Sequence, residues 1–467
     1  MDTTRTRLTP HEPTFGTVLS TDQIVARLEG LRPSGWHVRA RLVVGAATLF
    51  DGIDTLAIAY ALPVLTAAWH LSPQKAGVLI SAGYLGQLAG AVLFGWLADR
   101  IGRVSTIRYT IAIYALLSLV CAFSWSYSSL LVFRILQGLG LGGEVPVAAA
   151  YINELAQSKT RGRFFLVYEQ TYSAGRLCAA LLGVWVVTHL GWRYLFLVGA
   201  LPAVLVVFLR RSLPESPRWL ASQRRMEEAG QAVRDIEIRS SGNSAQRELP
   251  RPAKAIPVQH PVSKLDWREL FRGPYRARTA TTWVIWFAAF LLLNGLANWV
   301  PTLYTTLYRL PLGTALRYGL VSSAAGFAGC IAVTFLIEWT GRRPWYLGAF
   351  SLAGLACVAL WLRGAPSARA VLLLSSITLF FANSIAMVVF LHTPEIYPTR
   401  MRAFATSLAS VWLRVASIVA PIFVGFTVAR SSLSTVFLVF GLMAWFAAFV
   451  SRFIVETKGR VLEEVAP

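Results

Sequence analysis

The sequence carries the same pattern of charged residues twice, about 240 positions apart. Asp99, within Gly95–Arg103, corresponds to Glu338, within Glu338–Arg343, at an offset of 239 positions. Further pairs keep this period to within two positions: Glu154 and Glu395, Arg161 and Arg400, Arg176 and Arg414. A fixed period with matching charges predicts two homologous halves, and in a membrane chain two such halves usually enclose a binding site.

Composition places the chain in a membrane. Hydrophobic residues make up 55% of the sequence and charged residues only 14%, whereas a soluble domain carries about 25% charged residues. Crossing a bilayer takes about 20 apolar residues. Twelve stretches qualify: 40–68, 76–98, 105–124, 129–152, 164–189, 193–209, 279–305, 314–337, 345–362, 370–392, 403–429 and 433–453. The sequence therefore predicts an all-α membrane protein with twelve transmembrane helices in two pseudo-symmetric six-helix halves.

Polar segments divide the chain around these halves. The predicted parts are a cytoplasmic N-terminal segment 1–39, a six-helix half 40–209, a cytoplasmic central loop 210–278, a second six-helix half 279–453 and a cytoplasmic tail 454–467. Within the central loop we expect one short amphipathic helix around Glu215 to Ile238. The low-complexity stretch that follows, 239–264, has the composition of a linker.

The net charge of +21 is unevenly distributed across the predicted membrane. If both termini lie on one side, that side carries 34 Lys and Arg residues, the other side carries 7, and three lie within helices. This positive-inside bias predicts cytoplasmic termini and accounts for the charge without nucleic acid. We expect a multi-pass protein of a bacterial inner membrane that contacts the lipid bilayer, binds no nucleic acid and functions as a monomer.

The first apolar segment contains two carboxylates. Asp51 and Asp54 are three positions apart and therefore lie on one face of a helix. Each charge would cost about 2.5–3.5 kcal/mol at the bilayer centre. Both side chains must therefore face a wet cavity, meet a cation or carry a proton.

Two arginines pose the opposite problem. Arg176 and Arg414 lie within apolar segments, and arginine does not lose its proton in proteins. Each needs an anionic partner. Arg414 has no acid in its own segment, so it is the better candidate for binding a substrate carboxylate. Arg176 either contributes to the same site or pairs with Glu169, seven positions earlier, or with Glu144.

Charged clusters at predicted helix junctions form a candidate cytoplasmic gate. Acidic side chains favour helix N-termini and basic side chains favour C-termini, so such a cluster can hold one end of the bundle shut. The alternative is a simple topogenic anchor. The candidate gate residues are Asp99, Arg100, Arg103, Glu154, Arg161, Glu338, Arg342, Glu395 and Arg400.

Several segments resemble the major facilitator superfamily. The matching segments are Gly95–Arg103 for its loop between helices 2 and 3, Arg134–Glu144 for its helix 4, Glu154 with Arg161 and Pro214–Leu220 for loops of sugar-porter-like members, and Val455–Arg460 for their tail. The resemblance spans about residues 40–465. It implies the twelve-helix fold of that superfamily and a role in solute transport.

The pattern Asp51-Gly-Ile-Asp54 also resembles the helix 1 motif of aromatic-acid:proton symporters and niacin-type metabolite:proton symporters. Asp54 corresponds to the helix 1 aspartate of sugar porters, whose partner is an arginine that matches Arg134. The resemblance implies that protonation of Asp54 would break this pair. Asp51 and Glu144 are further candidates for proton coupling. The proton is the expected coupling ion, and we expect no cofactor and no metal.

The expected substrate is a small organic anion. Arg414 and Arg176 would bind its carboxylate, and aromatic acids such as nicotinate or a hydroxybenzoate would stack on aromatic rings. The remaining candidates for substrate contact are Asn294, Asn298, Trp299, Tyr304 and Glu169. Trp and Tyr are also common at membrane interfaces, which is the alternative explanation for the two aromatic residues.

Three other functions fit parts of the sequence. A proton-coupled sugar or polyol porter shares the loop motifs, but Leu292–Gly295 stands where sugar porters carry a paired-glutamine motif. An organic-cation or multidrug transporter could use Asp51 and Asp54, but two buried arginines would repel a cation. A scaffold or receptor that moves no solute finds no docking surface in the short outer loops.

Overall fold

The computed structural model describes residues 20–31, 34–155, 161–204, 206, 213–241 and 267–460. Within these ranges the chain forms helices and no β-strand. The first part comprises α1 (Thr21–Gly30), α2 (Gly35–Ala68), α3 (Pro73–Ile101), α4 (Arg103–Ala122), α5 (Tyr127–Leu155), α6 (Arg161–Leu182), continued by a π-helical turn at Gly183–Val187, and α7 (Trp192–Ala200).

The central segment and the second half follow. The central segment contains α8 (Pro217–Ser222), α9 (Met226–Ser241) and a 3-10 turn at Trp267–Phe271. The second half comprises α10 (Gly273–Ala297), α11 (Val300–Thr306), α12 (Leu312–Thr340), α13 (Arg342–Leu362), α14 (Ala368–Glu395), α15 (Thr399–Arg430) and α16 (Leu433–Ser451). We call the end of the bundle that carries Gly35 and Ser451 the termini side, and the opposite end the far side.

The predicted all-α membrane fold is confirmed. Over the described residues, ten helices are long and apolar enough to cross a bilayer. The other two predicted segments coincide with α6 and α7, and positions 205 and 207–209 at the end of the predicted segment 193–209 lie outside the described ranges. All twelve predicted segments therefore have a helical counterpart.

Three local features differ from the sequence prediction. The predicted helix 279–305 is two helices, because Pro301 has no N–H with which to continue the hydrogen-bond ladder of α10. The N-terminal segment contains α1, which starts with a capping box between Ser20 and Gln23. The single helix expected in the central loop is two helices, α8 and α9, and most of the predicted linker lies outside the described residues.

Glycines allow α3 and α5 to touch along their backbones. A Cβ atom added at Gly90 would lie 2.0 Å from the carbonyl oxygen of Leu139, and one added at Gly142 would lie 2.1 Å from that of Gln87. Small residues at such an interface are the usual means by which membrane helices approach closely. This contact fixes Arg134 and Glu144 on α5 relative to the rest of the first half.

The two halves meet along α3 and α15 and along α6 and α12. On the far side the first contact is tight, because a Cβ atom at Gly425 would lie 2.4 Å from the carbonyl oxygen of Pro73. Gly77 is similarly close to the carbonyl oxygen of Pro421, at 2.5 Å from the added atom. The structure is therefore closed between α3 and α15 on the far side.

Gly90→Ala is expected to destabilise the protein, because overpacking of this kind costs about 1–3 kcal/mol. Gly95→Ala is the matched control, since the same change in the same helix meets no atom within 4 Å. Alanine is the better helix former by about 1 kcal/mol, so the control should be neutral or slightly stabilised. Thermal unfolding in detergent measures both. Equal midpoints for the two variants would contradict the close contact.

Candidate substrate and proton site

Asp54 and Arg134 form a buried ion pair within the first half. Asp54 Oδ2 lies 3.7 Å from Arg134 Nη1, and neither side chain is more than 2% exposed. Ser118 Oγ donates to Asp54 Oδ1 at 3.2 Å, and Arg134 Nη1 donates to Gln137 Oε1 at 2.7 Å. Burying both charges requires this pairing, and removing one partner from such a pair is strongly destabilising.

Asp51 lies one helical turn closer to the termini side and has different neighbours. Thr55 Oγ1 donates to Asp51 Oδ1 at 3.2 Å. Asp51 also interacts electrostatically with Arg414 of the second half, beyond the distance of a direct ion pair. The two aspartates of helix α2 therefore have different surroundings. Asp54 pairs with an arginine of its own half, whereas Asp51 interacts with an arginine of the other half.

Arg176 and Arg414 are held by amides. Arg176 Nη1 donates to Asn294 Oδ1 at 3.4 Å, and Arg414 Nη1 donates to Gln87 Oε1. Among the described residues no carboxylate lies within 4.0 Å of either guanidinium, so Arg176 pairs with neither of its predicted acidic partners. Two guanidinium groups between the halves without a direct counter-ion form a site that favours an anion.

A network of uncharged polar groups connects the halves around these arginines. Tyr84 OH donates to Asn294 Oδ1 at 3.3 Å and accepts from Asn298 Nδ2 at 3.1 Å. Asn294 Nδ2 donates to Ser417 Oγ at 2.8 Å. The sequence prediction included both asparagines but missed Tyr84, Gln87 and Ser417. Only the small-residue spacing that packs α3 against α5 could have indicated which face of α3 is turned inward.

Two predicted aromatic contacts have other partners in this conformation. Trp299 Nε1 donates to the carbonyl oxygen of Pro421 at 3.1 Å, next to the tight contact at Gly425. Tyr304 is buried on the far side, where its ring packs edge-on against Tyr318 at 5.2 Å between centroids. In the described conformation Trp299 contributes to far-side closure, and Tyr304 packs within the second half.

A small cavity lies beside Arg176, between the halves. Its volume is about 20 Å³, and its polar lining includes Ser173, Arg176, Ser322 and Asn383. A space of this size holds about one water molecule. An aromatic acid is far larger, so binding requires the halves to move apart.

The candidate gate residues form one charged cluster in each half, on the termini side. Arg103 contacts Asp99 at 2.5 Å and Glu154 at 3.2 Å. Arg342, 239 positions later, contacts Glu338 at 2.9 Å and Glu395 at 3.0 Å. The repeat seen in the sequence is therefore also a repeat of ion-pair geometry.

Other predicted gate residues do not join these clusters. Arg100 lies over the ring of Trp96, 4.1 Å from its centroid, and forms no ion pair with a described residue. The side chains of Arg161 and Arg400 lie outside the described part of the chain. The gate role of these three residues stays a prediction.

Glu215 and Glu456 complete the clusters, and the sequence prediction missed both. Glu215 Oε1 accepts from the backbone N–H groups of Arg103 and Val104 at 2.7 and 3.0 Å. Glu456 accepts from the backbone N–H groups of Arg342 and Arg343 at 3.0 and 2.8 Å. The glutamates are 241 positions apart, so the period already found in the sequence could have identified them.

Each glutamate thus satisfies free backbone donors at a helix N-terminus. Partial burial would raise the pKa of Glu456, but the N–H groups of Lys458, Arg342, Arg343 and Thr457 hold it below its ordinary value. The stabilisation is therefore present at neutral pH and is lost as the pH falls through this lowered pKa.

Two helical halves with a charged polar site between them define a transporter of the major facilitator superfamily. The family model described as "Sugar (and other) transporter" matches residues 46–467, and the chain belongs to this family. It is therefore a multi-pass membrane transporter of a small-molecule substrate and not an enzyme.

Relatives agree with this family, and a solved structure shares the fold. The chain is 32% identical over 447 residues to the niacin transporter NiaP of Acinetobacter baylyi, covering 95% of this chain and 99% of the relative. It is 30% identical to the putative niacin/nicotinamide transporter NiaP of Bacillus subtilis, covering 85% and 90%. The proton:xylose symporter XylE bound to 6-bromo-6-deoxy-D-glucose superposes with a TM-score of 0.72 at 22% identity, covering 92% and 98%.

Arg414→Ala is expected to weaken binding of an aromatic carboxylate such as nicotinate. A hydrogen bond to a charged group contributes about 1.5–3 kcal/mol, which corresponds to about 10–100-fold in affinity. Arg369→Ala is the control, because Arg369 is exposed on the far side. Titration of the purified variants with nicotinate measures the dissociation constants. Equal losses in the two variants would remove Arg414 from the binding site.

Proposed function

We propose that this transporter is a proton-coupled symporter that imports a small organic carboxylate, in particular an aromatic acid of the nicotinate or hydroxybenzoate type, by alternating access. The observation that carries the proposal is the pair of arginines, Arg176 and Arg414, which lie between the halves with amide partners and no carboxylate within 4.0 Å among the described residues. An anionic substrate would supply the missing counter-charge.

The relatives support this choice of substrate. Two of them are named as niacin transporters, and the first covers nearly the whole chain at 32% identity. Niacin is an aromatic ring with one carboxylate. Such a ligand combines an ion pair to a guanidinium with amide hydrogen bonds around its ring. The groups available for these contacts are Arg414, Arg176, Asn294 and Asn298.

Asp54 and Arg134 would couple the proton to the change of conformation. When Asp54 is ionised, its attraction to Arg134 holds α2 and α5 together. Protonation of Asp54 removes this attraction and leaves Arg134 with Gln137 as its partner. The cost of moving α2 against α5 then falls, because a neutral carboxyl group no longer needs a buried cation.

Asp51 would couple the proton to the substrate. Its carboxylate interacts with Arg414, the guanidinium proposed to bind the substrate. A substrate carboxylate at Arg414 and an ionised Asp51 would repel each other. Protonation of Asp51 removes this repulsion, so substrate binding and proton binding favour each other.

The proposed orientation follows from the charge distribution. The termini side, which carries the two ion-pair clusters, would face the cytoplasm of a bacterial inner membrane. The far side, closed at Gly77 and Gly425, would face outward. Transport would need one copy of the chain, because both halves of the site come from the same polypeptide.

A sugar or polyol is the second candidate substrate. The network of Tyr84, Gln87, Asn294, Asn298 and Ser417 offers neutral donors and acceptors of the kind that hydroxyl groups require. The two arginines have no carboxylate within ion-pair distance among the described residues, which favours the acid over the sugar. An organic cation would be repelled by the same two guanidinium groups.

Uptake into proteoliposomes tests the proposal directly. The vesicles are alkaline inside, and nicotinate, 4-hydroxybenzoate, xylose and tetraethylammonium are offered in parallel. Uptake of a carboxylate should depend on the pH gradient and should be abolished by a protonophore. Uptake of xylose or of the cation alone would overturn the proposed substrate class, and carboxylate uptake without gradient dependence would overturn proton coupling.

Asp54→Asn should abolish accumulation driven by the pH gradient while leaving exchange of substrate across the membrane, because the variant resembles the protonated state permanently. Asp235→Asn is the control for the same chemical change at an exposed site on α9. Gradient-driven uptake and counterflow are measured on the same vesicles. Accumulation by Asp54→Asn at the wild-type level would exclude Asp54 from proton coupling.

A further inference from the structure

Glu144 on α5 is a buried carboxylate outside the ion pair of Asp54 and Arg134. Its side chain is fully buried. Thr48 Oγ1 donates to Glu144 Oε1 at 3.0 Å and lies 2.6 Å from Tyr168 OH. Thr48 Oγ1 also lies 3.4 Å from the carbonyl oxygen of Val44, and either hydroxyl group can donate in the contact between Thr48 and Tyr168. The contacts thus satisfy one oxygen of the carboxyl group.

The other oxygen has no partner. Glu144 Oε2 is buried and forms no hydrogen bond. The hydroxyl group of Tyr114, which is also fully buried and interacts electrostatically with Glu144, has no partner either. A buried carboxylate oxygen without a hydrogen-bond partner is costly unless the group is neutral or binds a small ligand. A proton on Glu144 fits this description, because it removes the buried charge.

The titratable groups that interact electrostatically with Glu144 in the described structure are acidic or phenolic. These groups are Asp51 on α2, Tyr114 on α4, and Tyr168 and Glu169 on α6. From α3, Phe94 packs near this part of α5, against Gly143. No described cation lies within ion-pair distance of Glu144. Ionising these carboxylates would cost several kcal/mol of desolvation for each group. The ionised groups would also repel one another.

The carboxylates are ordered along the bundle. Thr48 lies six residues from Asp54 on α2, or about 9 Å towards the termini side. Glu144 lies ten residues from Arg134 on α5, or about 15 Å in the same direction. Asp51 interacts with Asp54, with Glu144 and with Glu169. A series of acids therefore leads from the ion pair towards the side that we assign to the cytoplasm.

We infer that Glu144 is a proton-binding relay on the release path: it accepts the proton that leaves Asp54 by way of Asp51 and passes it, together with Glu169, to the cytoplasm. Glu144 then alternates between a neutral acid while its surroundings are dry and a carboxylate when water reaches it from the termini side. This inference rests on the proposed proton coupling and adds the path that the proton takes.

Glu144→Gln tests the relay, since the amide keeps the shape of the neutral acid but carries no transferable proton. Counterflow of nicotinate in proteoliposomes should stay within about twofold of wild type, whereas uptake driven by the pH gradient should fall by at least about tenfold, as is usual when a positioned proton carrier is lost. Glu227→Gln is the matched control, because Glu227 is exposed on α9.

Glu144→Asp separates titration from shape. A relay requires a titratable group. The ratio of gradient-driven uptake to counterflow should therefore be higher for Glu144→Asp than for Glu144→Gln. If the ratio of gradient-driven uptake to counterflow is as high in Glu144→Gln as in Glu144→Asp, or higher, the relay is overturned. Because the ratio compares two activities of the same vesicles, it still ranks the variants when part of the protein is misfolded.

The outcomes also separate this inference from the proposed function. Wild-type uptake without gradient dependence would overturn proton coupling and the relay together. Coupled uptake by the wild type, with equal coupling in Glu144→Gln, would overturn the relay alone and leave Asp54 as the coupling residue.

Discussion

Charge inside an apolar helical bundle is the constraint on which this structure depends. Each buried charge must have a counter-charge, a proton or a ligand, because the surrounding helices provide no water. Asp54 has Arg134, at 3.7 Å, whereas Arg176 and Arg414 have amide partners. Within the first half, the negative charge of Asp54 is thus neutralised by the positive charge of Arg134. The two arginines without a carboxylate at ion-pair distance lie between the halves, so the described residues separate an ion pair inside one half from cationic groups at the junction of both.

The close approach of α3 and α5 makes this division possible. Glycines remove the side chains that would hold the helices apart, so Arg134 is confined against Gly83, where an added Cβ atom would lie 2.8 Å from its Nη2. The close packing of α3 against α5 therefore holds the guanidinium of Arg134 in the position from which it pairs with Asp54. On the far side, glycines at the contact of α3 with α15 similarly allow the halves to close on each other.

The sequence predicted most of the fold and some of the site. Apolar stretches gave the spanning helices, because burial in lipid demands about 20 such residues. Charges within helices pointed to Asp54, Arg134, Arg176 and Arg414. The prediction failed where tertiary contact decides the outcome. The partner of Arg176 is Asn294, and Tyr84 and Gln87 are uncharged residues that look like ordinary helix residues until the halves are assembled. The apolar stretch 279–305 predicts one helix by its hydrophobicity alone, whereas the missing N–H of Pro301 divides it into two.

The paired glutamates at the termini side redefine the repeating unit of this protein. Glu215 binds the N-terminus of α4 from the segment after the sixth spanning helix, and Glu456 binds that of α13 from the segment after the twelfth. In each half, therefore, a glutamate that follows the sixth spanning helix binds the N-terminus of the third spanning helix of the same half. The unit that repeats in this structure is therefore six helices together with the glutamate that follows them, so the central segment and the tail begin with the same structural part.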